Sequence, residues 1–82
     1  MRSKGIAERH GPLAQVVRAR RKALGVSQVE LARLASVGPV FVYDVESGKS
    51  TLRLDKLLDL LEVLGLELVL APGTHRLRTE VT

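Results

Sequence analysis

Two stretches, Ser27-Gln28-Val29-Glu30-Leu31-Ala32 and Val45-Glu46-Ser47-Gly48-Lys49, decide how the rest of the chain reads. A serine followed three residues on by glutamate is a capping box. The Ser27 hydroxyl can accept the backbone N–H of Glu30, and the Glu30 carboxylate can accept that of Ser27. Leu31, Leu34 and Ala35 then fall on one helical face, which predicts a short helix over residues 28–35. Ala32 is small enough to let another helix approach closely. Ser36-Val37-Gly38 reads as a tight turn, and Pro39 as the start of the next helix. That helix runs over residues 39–47, buries Phe41, Val42 and Val45, and ends at Gly48. Its β-branched content lowers helix propensity, and propensity alone gives a strand over residues 40–45. The turn signals on both sides favour a helix.

Upstream, residues 1–11 show no periodicity and read as a loose basic arm. Gly11-Pro12 opens a first helix, because proline suits the first helical position. Leu13, Val16, Val17 and Leu24 follow at helical spacing with Ala23 beside them, and Gly25 suits a left-handed cap. Downstream, residues 49–53 form a short basic loop. Leu54, Leu57, Leu58, Leu61 and Leu64 make an amphipathic helix closed by Gly65. Leu66, Leu68 and Leu70 then alternate with Glu67 and Val69, the period of a strand. Ala71-Pro72-Gly73 stops it, and a polar tail runs to Thr82.

One strand forms no sheet, and an exposed apolar edge is an aggregation hazard. Pairing with the same strand of a second copy solves this with one self-complementary surface. The other solution is an extension packed on the chain's own helices. The expected organisation is a flexible arm (1–11), a helical domain (12–65), a dimerisation strand (66–71) carrying Leu66, Leu68 and Leu70, and a flexible tail (72–82).

Composition narrows the function. The 82 residues suffice for one domain, 45% of them hydrophobic and 27% charged, a globular profile. With one Phe, one Tyr and no Trp, the chain lacks the aromatic platforms of single-strand binders. It has no cysteine, and its two histidines, His10 and His75, lie far apart, so no metal site is expected. No apolar run approaches the ~20 residues of a membrane helix, and the charged N-terminus precedes no apolar signal segment. The expected compartment is the cytoplasm. Thirteen Lys and Arg against nine Asp and Glu give a charge of +4, which favours phosphate-bearing or acidic partners.

Two short helices joined by a tight turn inside a four-helix unit describe a helix-turn-helix. The quoted residues resemble the Cro and phage-repressor (XRE-type) helix-turn-helix family, which shows a Ser-Gln-x-x-Leu-Ala segment and then a hydrophobic-Glu-x-Gly-Lys segment at this distance. The resemblance covers about residues 13–65. It implies a mainly α, four- to five-helix lambda-repressor-like domain and supports the helical reading of residues 39–47. The stretch Thr51-Leu52-Arg53-Leu54-Asp55-Lys56-Leu57-Leu58, with Leu64-Gly65-Leu66-Glu67-Leu68, is similar to the HipB-like antitoxin branch. That branch adds a C-terminal strand completing a homodimer, pairs with HipA-type kinase toxins and represses its own operon.

The resemblance also implies roles. Gln28 and Lys49 would contact DNA phosphates, and Arg21 would bridge to Glu46 between the first helix and the end of the third. The third helix would enter the major groove of an operator, presenting Gly38, Pro39, Val40, Tyr43 and Asp44. Base-specific contacts usually come from Arg, Lys, Asn or Gln, and residues 38–47 contain none. Val40 is left to touch a thymine methyl and Asp44 to accept from cytosine N4. Arg33 is a further phosphate candidate. Arg2, Lys4 and Arg9 of the arm, and Arg18, Arg20 and Lys22 of the first helix, fit either phosphate contacts or a solvated surface. No phosphate loop or acid–base pair points to an enzyme. No cofactor or small-molecule effector is expected. The expectation is a DNA-binding repressor and antitoxin, with a stand-alone repressor and a protein-interaction module as rivals.

Overall fold

A computed structural model describes the backbone of residues 2–80 and the side chains of residues 11–80. Four helices follow one another: α1 (Arg2–Ala23), α2 (Gln28–Ala35), α3 (Pro39–Glu46) and α4 (Leu54–Val63). The expected arm is corrected here, because α1 begins at Arg2 and carries Pro12 in its interior. A proline inside a helix removes one backbone hydrogen bond and crowds the preceding turn, yet the helix continues through it. Pro12 is therefore not the start signal that sequence reading made of it. The side chains of Arg2, Lys4, Arg9 and His10 lie outside the described residues, as do Thr82 and Val81 at the end of the tail.

The capping box at α2 forms as expected. Ser27 Oγ accepts the Glu30 N–H at 3.0 Å, and Glu30 Oε1 accepts the Ser27 N–H at 2.9 Å. Bonding to the Ser27 backbone and hydroxyl holds the Glu30 carboxyl below the usual carboxylate range.

All four helices end in the same hydrogen-bonded turn. Gly25, Ser36, Gly48 and Gly65 each donate to the carbonyl three residues back, and the residue after each donates to the carbonyl five back. All four have positive φ. This is the Schellman arrangement, in which the following residue commonly tucks against the helix. Val26, Val37 and Leu66 do so, each half-buried against the core. In the third cap that place belongs to Lys49, which is exposed. The left-handed residue of the α2–α3 turn is thus Ser36 rather than Gly38, whose φ is −74°.

The core is built from Val17 of α1, Leu31, Ala32 and Ala35 of α2, Val42 and Val45 of α3, and Leu57, Leu60, Leu61 and Leu64 around α4. Four expected core leucines differ. Leu24, Leu34, Leu54 and Leu58 are exposed, and Leu60, not expected, is fully buried. Leu57, Leu60, Leu61 and Leu64 form an i, i+3, i+4, i+7 stripe, which is the face α4 turns inward.

The expected strand is not present in the chain. Among the described residues there is no strand, and residues 66–73 run without regular structure. A strand exists only through ladder bonds to a neighbour, and no second extended segment among the described residues supplies them. Leu66 is half-buried because it closes the α4 cap. Leu68, Val69 and Leu70 are exposed, Leu70 to 94%.

Candidate nucleic-acid interface

The site is assembled around one buried carboxylate. Glu46 closes α3 with its side chain only 1% exposed. Arg21, on α1, donates from Nε to Oε2 at 2.6 Å and from Nη2 to Oε1 at 3.0 Å, while its Nη1 donates to the Val26 carbonyl at 2.9 Å. The two-pronged pairing is the strong geometry for guanidinium and carboxylate. Gln28 Nε2 donates to Glu46 Oε1 at 3.1 Å, and Arg18 Nε stands 3.7 Å from the same oxygen. Burial pushes the Glu46 carboxyl up. The bonds from Arg21 and Gln28, with the charges of Arg21 and Arg18, outweigh it and hold the group below the usual range. The Arg21 guanidinium is raised in turn, chiefly by its bonds to Glu46. No buried side-chain polar atom among the described residues lacks a partner.

This carboxylate ties the first helix, the start of α2 and the end of α3 together. It therefore sets the angle at which α3 is presented. The exposed surface of α3 begins at Gly38 and Pro39 and continues through Val40, 71% exposed, and Tyr43, 61% exposed. Asp44 is half-exposed beside them, with Lys49 Nζ 3.4 Å from its Oδ2. The pair offsets the repulsion that a lone Asp44 would feel from phosphates. Arg33 is exposed on α2.

Of the residues singled out from the sequence, the fold brings Gln28 to Glu46 and Arg21, and Asp44 to Lys49. Arg33 stands apart from both groups and is near Glu30. Leu66, Leu68 and Leu70 lie at the far end of the chain, beyond α4. One structural residue escaped sequence reading. Arg20 Nε donates to the Leu64 carbonyl at 2.7 Å, across 44 residues of sequence. A cation at a helix C-terminus is favourable, but nothing local in the sequence names a partner so distant.

Comparison with known proteins agrees with this geometry. The helix-turn-helix family profile matches residues 17–70, well over half of the chain. The chain belongs to this family, and residues 17–70 are a helix-turn-helix DNA-binding domain. An uncharacterized HTH-type transcriptional regulator, y4mF, of Sinorhizobium fredii is 42% identical over 65 residues, covering 78% of this chain and 86% of the relative. Among the described residues, no helix is long and apolar enough to cross a membrane.

Proposed function

We propose that this protein is a non-enzymatic transcriptional repressor that binds an operator as a homodimer and acts as the HipB-like antitoxin of a HipA-type kinase toxin. The observation that carries the DNA-binding part is the α3 surface. An exposed row of Val40, Tyr43 and Asp44 is held at a fixed angle by the buried Arg21–Glu46 pair. The family and the y4mF regulator support the same reading.

The homodimer rests on residues 66–70. This segment exposes Leu68, Val69 and Leu70 and pairs in no strand among the described residues. Pairing with the same segment of a second copy would satisfy its backbone and cover its side chains. The antitoxin role rests on the sequence similarity at residues 51–58 and 64–68. The tail from residue 74 onward is the segment open to a toxin, because exposed polar segments can order on binding.

A protein-interaction module is favoured by one observation, that α3 presents apolar and acidic groups and none of the usual base readers. Selection of the purified protein against random duplex DNA at two salt concentrations separates the two. A dimeric repressor enriches a palindrome with half-sites one helical turn apart. If it neutralises about eight phosphates, the log–log salt slope is about −7. An interaction module enriches nothing at either salt. Co-purification of a kinase-like partner from the native host tests the antitoxin role, and a repressor that copurifies with none stands alone.

A further inference from the structure

Arg18 holds charge that the fold does not use. Glu46 brings one negative charge to two guanidinium groups. Arg21, its side chain 12% exposed, takes both carboxylate oxygens in hydrogen bonds. Arg18 lies one turn earlier on the same face of α1 and remains 56% exposed, too far from Oε1 for a hydrogen bond. One positive charge is therefore in excess, and it sits on the partner that faces water. Among the described residues Arg18 pairs with no other acid.

Gln28 reaches the same Oε1 from the start of α2, spending one of its two amide N–H groups. An arginine from one helix and an amide from another thus converge on a single carboxylate oxygen. Both have donors left over, and both are oriented by an anchor that is itself fixed. We propose that Arg18 and Gln28 together clasp one phosphate of the DNA backbone, with buried Glu46 positioning both. This rests on the DNA-binding reading above and adds Arg18 and Glu46 to the phosphate contact. A guanidinium beside an N–H donor suits tetrahedral phosphate oxygens. The pair lies on α1 and at the head of α2, beside the α3 helix, so it meets the backbone and not base edges.

The test is the salt dependence of binding to the duplex selected by the wild-type protein, measured for Arg18→Gln, Arg18→Lys and Lys22→Gln. Lys22 is an exposed cation on the same helix with no contact to Glu46. It reports what a cation on this helix contributes without the Glu46 anchor. A phosphate clasp predicts that Arg18→Gln lowers the log–log slope by about 0.9 per subunit. Arg18→Lys should keep the slope, Lys22→Gln should change it less, and all three should select the same sequence. A slope in Arg18→Gln that falls no further than in Lys22→Gln overturns the clasp. So does an Arg18→Gln variant that melts well below Lys22→Gln, since Arg18 would then be a structural ion-pair member. If the wild type binds no duplex at low salt, it is the DNA-binding reading that has failed, and the clasp falls with it.

Discussion

Ser36 carries a left-handed backbone, φ +57°, in the cap position that glycine fills at the other three helix ends. An L side chain pays roughly 1–2 kcal/mol there. Ser36 makes no side-chain hydrogen bond that would offset it among the described contacts. Ser36→Gly should therefore raise stability by about 1 kcal/mol, which is roughly 4–8 °C in melting temperature for a domain of this size. Thermal unfolding by circular dichroism checks it, and an unchanged or lower midpoint would contradict the strain. Asp44 gives a second residue-scale prediction. If its carboxylate accepts from cytosine N4, Asp44→Asn should shift one position of each selected half-site from cytosine toward adenine, which pairs with an amide. Sequence selection with the variant reads this directly, and an unchanged motif assigns Asp44 to its Lys49 pair alone.

Between elements, the Arg21–Glu46 pair is the joint of the motif. Removing one partner of a buried ion pair strands the other. Glu46→Ala should cost about 3 kcal/mol and weaken DNA binding at fixed salt, because α3 loses its fixed angle. Denaturant unfolding measures the first and titration of a selected duplex the second. The Glu46 carboxyl is lower in the folded chain than in the unfolded one. Its contribution to stability is then fully present above the ordinary glutamate value and is lost as pH falls through the lowered folded value. Acid unfolding should steepen below that ordinary value in the wild type and flatten in Glu46→Gln. Equal slopes would place the proton uptake elsewhere. Arg20, next to Arg21 on α1, acts the same way toward α4, holding the Leu64 carbonyl at its cap.

For the molecule as a whole, the apolar surface left uncovered is the guide. Leu68, Val69 and Leu70 are exposed at the C-terminal end, and Leu54 and Leu58 on the outer face of α4. If residues 66–70 pair across a dimer, Leu68→Asp should give monomers at low micromolar concentration and lower operator affinity, with the helical signal intact. Analytical ultracentrifugation decides it, since a dimer that survives the substitution rejects that interface. Much of the fold could be read from local signals. The capping box, the three glycine caps and the Leu57, Leu61 and Leu64 part of the α4 stripe all rest on spacings of one to seven residues. What was misread was equally local in origin. Pro12 looks like a helix start and sits inside α1. The alternation of Leu66, Leu68 and Leu70 looks like a strand, yet Leu66 is spoken for by a cap.

By itself the sequence determined where α2, α3 and α4 lie and that a helix-turn-helix joins two of them, and its resemblance to a family implied that Arg21 and Glu46 belong together. Those follow from hydrogen bonds and side-chain periods that act within a turn or two of helix, or from a motif at fixed spacing. Tertiary structure alone decided which charges are free. Arg18 and Arg20 are near neighbours on one helix and read alike. Arg20 holds the α4 cap, and Arg18 faces water with charge to spare. The difference is set by what α3 and α4 bring against α1, and a partner 44 residues away leaves no mark on local sequence.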